Sequence, residues 1–390
     1  MAQLRLISAD SHVMEPANFW VERLDTKFKD RAPRVVPRPD GAGFVMVAPD
    51  IAPFPVAAVF GTGLSGEALK EHMKKGYEAA RPGGWDPVER LKDQDIDGIE
   101  AEVLYTSLGL PLFGLRDGEL QRACFHAYND WLVEFCSHNP RRLIGTALIS
   151  LADIGEGIKE LERCAKQGLR GAMIWGSPPE DRPYNSSVYE SLWQAAAELD
   201  MPLVLHVGSG ISKDSGARMA AFGNAMDASG KAGDTLDAAR PKPMMAEVYA
   251  NTIHEIQRSL TAIIVGGVLD RFPKLKIVSG ESDIGWLPHY MYRLDHGYEK
   301  YGAMQGSLLS LKPSEYVRRQ VWATFMDDAV GPATYQQFGG ANYMWASDFP
   351  HSDSTWPESR KVVERELAGV PEDLKRKIVF ENAAALYHIS

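Results

Sequence analysis

The stretch Leu4-Arg-Leu-Ile-Ser-Ala-Asp-Ser-His-Val-Met-Glu-Pro16 decides how the rest of the chain is read. It begins as a strand, with Leu4, Leu6 and Ile7 apolar, and stops being apolar at Asp10. Asp10 and His12 are two apart, and on an extended chain that spacing puts both side chains on one face. A carboxylate and an imidazole converging at the end of a buried strand suit a divalent metal. Taken alone, the pair reads better as a turn, with Asp10 as its cap and His12 as a polar neighbour. What tips the reading lies downstream.

From residue 101 the pattern alternates. Strands are expected at 101–106, 143–150, 171–175, 202–207, 275–279, 320–325 and 343–346. Helices are expected at 117–138, 154–166, 188–199, 244–260, 284–301, 329–338, 358–367 and 372–387. A further helix, 87–94, opens behind Asp86 as its cap. Several strands are continuous apolar runs, as in a parallel sheet covered on both faces. Repeated strand–helix alternation predicts an α/β fold, a distorted (β/α)8 TIM barrel, over an open sheet. The turn after the first strand lacks the Gly-x-Gly-x-x-Gly of a dinucleotide-binding sheet.

Two stretches interrupt the alternation. Residues 31–85 and 208–242 are rich in Pro or Gly and read as long insertions in one domain spanning 1–390. A hairpin strand is expected at 44–47 in the first and a helix around 217–226 in the second. Such excursions build pocket roofs or dimer contacts, so a homodimer is expected.

Composition narrows the function. The chain has 390 residues, 45% hydrophobic and 24% charged, with a net charge of −10. The acidic balance, without a Lys/Arg run, argues against nucleic acid as a partner. Three cysteines make no disulfide framework and point to a reducing cytoplasm. Neither a signal peptide nor a membrane-spanning apolar run is read.

In a barrel the chemistry sits at the carboxyl ends of the strands. Strand one ends in Asp10-Ser-His12, another in His206, another in Glu281, and the last in Asp348-Phe-Pro-His351. Singly, His206 reads equally as a core histidine, Asp348 as a cap, and Glu281 as a partner for Arg293. Together they read as a metal site built from Asp10, His12, His206, Glu281 and Asp348. Asp348, Glu281 and His351 are the candidate catalytic groups. His254, Trp286 and His296 are weaker candidates for touching substrate, and Arg116 and Arg218 weaker still as carboxylate clamps. Lys166, Lys213 and Lys231 do not follow strands as a carboxylated bridging lysine would, so one metal is expected rather than a pair.

These residues also resemble a family. Asp10-x-His12 with Glu15-Pro16, Leu205-His-Val-Gly208, Gly267-Val-Leu-Asp-Arg-Phe-Pro-Lys-Leu-Lys276, Ala346-Ser-Asp-Phe-Pro-His351 and Glu381-Asn-Ala-Ala-Ala-Leu-Tyr387 are similar to motifs of the amidohydrolase superfamily. The likeness is to its amidohydrolase 2 branch, that of aminocarboxymuconate-semialdehyde decarboxylase. It runs from residue 4 to 388 outside the insertions. The resemblance implies a mononuclear divalent metal held by His12, His206 and Asp348, with Asp10 in place of a His or Glu ligand. It departs at Glu281, where relatives often carry His.

The first expectation is therefore a metal-dependent hydrolase that acts on a small cyclic or aromatic compound through a metal-activated water. Zinc is the expected ion, with manganese or iron as alternatives. A non-oxidative decarboxylase of an aromatic acid comes second, and a catalytically inactive barrel acting as a binding or scaffold protein third.

Overall fold

Strand β1 (Ile7–His12) is buried along its whole length, and the chain returns beside it only after an excursion. The excursion carries β2 (Arg34–Pro37), β3 (Phe44–Ala48) and β4 (Ile51–Pro55), an antiparallel three-stranded sheet. The main sheet then resumes with β5 (Ala101–Tyr105), β6 (Leu143–Leu148), β7 (Gly171–Ile174), β8 (Leu203–His206), β9 (Ile277–Gly280), β10 (Val321–Phe325) and β11 (Tyr343–Trp345). In this computed structural model, residues 4–39, 41, 43–225, 245–304, 306, 309–335 and 342–390 are described.

The eight main strands are parallel and lie side by side in chain order, β1-β5-β6-β7-β8-β9-β10-β11. Only Trp322 interrupts their burial. That explains the apolar runs: helices cover the outside while side chains fill the inside, so neither face meets water. The two ends of the sheet meet through the chain leaving β11. Asp348 N–H donates to Asp10 O at 3.0 Å and His12 N–H to Phe349 O at 2.6 Å. Ser347 N–H donates to Ser8 Oγ at 2.8 Å. The result is the nearly closed α/β barrel expected from the alternation.

The helices depart from expectation at their ends. Helix Met245–Val265 runs five residues beyond 260, because Ile263 and Ile264 continue its buried face up to Gly266 and Gly267. Helix Leu287–Tyr301 starts three residues late. Pro288 favours the first helical turn, and the amides of Ile284 and Gly285 donate instead to Asp328 Oδ2 at 2.9 and 2.6 Å. Helix Pro313–Gln320, capped through Glu315 and Lys312 N–H at 2.8 Å, was not expected. The helix expected at 329–338 is a single turn, Val330–Ala333, and 336–341 lie outside the described residues. The last helix is interrupted by a wide turn, Lys377–Glu381. Asp86 caps helix Pro87–Asp97 as expected, accepting from Val88 and Glu89 N–H.

Both insertions lie on structure at the carboxyl ends of the strands. The first touches the loop after β11, with Thr62 N–H donating to Pro350 O at 3.1 Å and Thr62 Oγ1 bonded to Ser354 Oγ at 3.0 Å. The second opens with helix Lys213–Ala225; Met226 and Lys231 lie outside the described residues. Phe54 of β4 stacks on Phe222 of this helix at 5.5 Å, so the insertions meet. Among the described residues no helix is long and apolar enough to cross a membrane.

Candidate active site

Local structure aims each side chain. The pairing of β1 with β5 shifts register between Ser8 and Ser11, an irregularity that re-aims side chains on either side of it. Asp10 Oδ2 accepts from Glu281 N–H at 3.0 Å and Thr324 Oγ1 at 2.9 Å, which leaves Oδ1 for the barrel axis. His12 Nδ1 donates to Thr106 O at 2.7 Å, and His206 Nδ1 to Val207 O at 2.8 Å. A carbonyl only accepts, so each ring carries its proton on Nδ1 and turns the Nε2 lone pair inward. Gly280 is required beside His206, since a Cβ there would stand 2.8 Å from the ring. Glu281 and Asp348 leave their strands with φ of 48° and 55°. Non-glycine residues pay about 1–3 kcal/mol for such backbone, a strain found where side-chain aim matters.

The five side chains converge. His12 Nε2 lies 3.5 Å from Asp10 Oδ1, 3.3 Å from Asp348 Oδ1 and 3.8 Å from Glu281 Oε2. His206 Nε2 lies 3.5 Å from Asp10 Oδ1 and 3.4 Å from Glu281 Oε2. Among the described residues, Asp10 Oδ1, both histidine Nε2 atoms and Asp348 Oδ2 are buried without a hydrogen-bond partner, and Asp348 Oδ1 meets the imidazole nitrogens of His12 and His351. Lone pairs that face one another in a dry interior repel, and a cation among them relieves that repulsion. The donor set therefore fits a divalent metal. It falls into two overlapping groups, Asp10-His12-His206 and His12-Glu281-Asp348-His351.

Electrostatics among these groups point the same way. Burial pushes Glu281 well above the usual carboxylate range, and Asp348 adds to the push. Asp348 is raised by burial and by Asp10. Burial acts to lower His206, but the Asp10 and Glu281 carboxylates carry it up to about 9. His12 drops to about 3 through burial and the neighbouring His351 imidazole. A cation relieves the carboxylate repulsion and competes with the protons that otherwise fill the cluster.

His351 joins this cluster as well. Its Nδ1 is 3.0 Å from Asp348 Oδ1, its Nε2 is 3.0 Å from Ser107 Oγ, and its ring stacks on His12 at 3.9 Å. The weaker candidates are placed elsewhere. His254 and His296 are exposed on helices Met245–Val265 and Leu287–Tyr301, His296 stacking on Tyr292. Trp286 donates its indole N–H to Ser282 O and Asp283 O and packs edge-on against Tyr290. Arg218 is bound to buried Glu255 on the neighbouring helix, and Arg116 and Arg293 are exposed.

Sequence reading missed the residues that hold these groups. Arg90 is fully buried and donates to His12 O at 2.7 Å and to Glu102 at 2.6 Å. Thr106, Ser107 and Thr324 orient the imidazoles and Asp10. Hydroxyls at strand ends carry no distinctive spacing. Arg90 left no signal either, because the buried face of its helix is polar throughout, with Asp93, Gln94 and Asp97 beside it.

The barrel and this mouth define a class. A family model for amidohydrolases matches residues 48–389, and the chain belongs to that family. Over 214 residues it is 28% identical to γ-resorcylate decarboxylase of Polaromonas sp. (strain JS666), covering 53% of this chain and 58% of that protein. The chain spans little more than half the length of the curated relatives it matches. An amidohydrolase structure from Mycobacterium avium subsp. paratuberculosis superposes with a TM-score of 0.75 at 24% identity, over 99% of this chain and 98% of that one. A 5-carboxyvanillate decarboxylase from Novosphingobium aromaticivorans, complexed with manganese and 4-hydroxy-3-methoxy-5-nitrobenzoic acid, gives 0.66 at 19% identity, over 99% and 96%. Both confirm the barrel.

Proposed function

We propose that this chain is a metal-dependent, non-oxidative decarboxylase of a small hydroxylated aromatic acid. The observation that carries the site is the set of buried, partnerless acceptors on Asp10, His12, His206 and Asp348. The choice of reaction moves from hydrolysis, the first expectation, to decarboxylation because the curated relatives are decarboxylases. The inactive-scaffold reading has no support from a set of acceptors left this bare.

Asp10, His12, His206 and Asp348 would hold the ion, with Glu281 beside them. Two or three carboxylates and two imidazoles suit manganese, which is present in the carboxyvanillate decarboxylase structure, and manganese is proposed over zinc. The ion supplies positive charge against the anionic oxygens of the substrate. Asp348 would face the ion through Oδ1, and its Oδ2 is buried without a hydrogen-bond partner among the described residues, so Oδ2 can carry a proton. That proton passes to the ring carbon bearing the carboxylate. The ring supplies the electron pair of the new C–H bond, the pair of the breaking C–C bond returns to the ring and restores its aromaticity, and carbon dioxide leaves. His351, fixed through Nε2 by Ser107, orients Asp348 through Nδ1.

Manganese-loaded protein incubated with a panel of hydroxybenzoates and, separately, lactones and amides tests the reading. Carbon dioxide release that disappears in Asp348→Asn is the expected result. Hydrolysis of a lactone or amide with no carbon dioxide from any acid overturns it and restores the hydrolase.

A further inference from the structure

Glu15 lies three residues beyond His12 and is completely buried. Among the described residues its side chain has no cationic partner. Oε1 accepts from the Thr106 hydroxyl and Oε2 from Leu108 N–H at 2.8 Å. The Thr106 hydroxyl in turn accepts from Gly109 N–H at 2.9 Å. Tyr77 O–H donates to the Glu15 carbonyl at 2.7 Å, pinning its backbone from the first insertion. A buried carboxyl without a counter-cation is costly to keep, so its hydrogen bonds have to be worth having.

What those bonds hold is the loop 106–109, and the loop reaches two imidazoles. Thr106 O takes the Nδ1 proton of His12 at 2.7 Å. Ser107 Oγ meets His351 Nε2 at 3.0 Å. His12 and His351 stack on each other, so movement of the loop moves both rings.

We propose that Glu15 is a positioning residue for the metal site, fixing the tautomer and aim of His12, and the orientation of His351, through the loop 106–109. It touches neither the ion position nor a substrate. Partners of this kind hold a ligating histidine in its binding tautomer, and their loss typically weakens metal affinity by about 10–100-fold. A carboxylate is suited to the role because it accepts from a hydroxyl and an amide at once. A glutamine accepts with one oxygen only.

The inference rests on the metal reading above, and the experiment separates the two. Mn²⁺ binding to the full chain is measured by the EPR signal of free Mn²⁺, beside thermal melts. The expected result is about 10–100-fold weaker binding in Glu15→Gln. Thr106→Val, which deletes the bridging hydroxyl, weakens binding as well, while Thr106→Ser restores it. Because the two changes act on one connected set of bonds, the double variant weakens binding by less than the two single effects combined. Folded Glu15→Gln and Thr106→Val proteins that bind Mn²⁺ as the parent does, with only their melting temperatures lowered, overturn the proposal and leave Glu15 a packing residue. A parent chain that binds no Mn²⁺ overturns the metal reading itself, and this proposal with it.

Discussion

The two ends of the barrel handle polar groups in opposite ways. At the amino ends of the strands, donors are brought to carbonyls and matched. Arg142 covers the carbonyls of Ile99 and Glu100, Arg360 those of Leu4 and Gly98, and Arg170 those of Pro140, Tyr387 and His388. Gln320 covers Phe272 and Leu275. At the carboxyl ends, acceptors are brought to acceptors and left bare. One end closes the fold, and the other crowds acceptors and carboxylates that take up protons when no cation is there. The same scaffold thus separates stability from chemistry by which end of a strand a residue occupies.

That contrast breaks most visibly at Asp348. Asp348→Asn keeps the shape of the side chain but can no longer hold and give up the carboxyl proton. The turnover of an active acid should fall by roughly 10²–10⁴-fold, with the urea stability of the metal-free protein unchanged, since burial already favours the neutral carboxyl there. A clear loss of stability in this variant would place Asp348 among the groups that close the fold.

Glu15 gives the next largest effect, in stability against pH. Burial raises its folded pKa from 4.5 to about 7, offset only in part by Thr106 and backbone amides. The folded chain then binds this proton more tightly than the unfolded chain. Stability is highest below about pH 4.5 and falls by roughly 3 kcal/mol as pH rises through 7. Glu15→Gln should flatten that part of the profile, so the variant compares worse with the parent at pH 5 than at pH 8. Parallel profiles in urea titrations would contradict it.

At the opposite end the sign reverses. Arg170→Ala uncovers three carbonyls and should cost roughly 2 kcal/mol while leaving Mn²⁺ affinity untouched. Gln320→Ala uncovers the carbonyls of Phe272 and Leu275 and should cost roughly 1–2 kcal/mol. A shift in metal affinity from either would show that the two ends are coupled.

Much of this was legible from residue order. Strands buried on both faces write themselves as apolar runs, and Asp10, His206, Glu281 and Asp348 stood out because each ends such a run. Helix ends were harder, since they depend on partners far away in the chain: Asp328 drew off the amides of Ile284 and Gly285, and nothing near residue 284 announces that. His254 and His296 lie exposed on their helices, the placement that sequence reading gave as the default for an imidazole there. The groups that aim the site, Thr106, Ser107 and Thr324, have ordinary side chains whose role comes only from what they face. Glu15 was visible as part of a motif, but its burial and the loop it holds were not.

The seam of the barrel has a further consequence for how the protein is made. Asp10 and Asp348 are joined by a backbone bond across that seam, beside the hydroxyls of Ser11 and Ser347, which are 336 residues apart. A chain emerging from the ribosome carries its first ligands from the outset yet cannot assemble the centre until its last strand has arrived. If the proposed metal reading holds, a chain cut short of its last strand would lack Asp348 and the seam that closes the site.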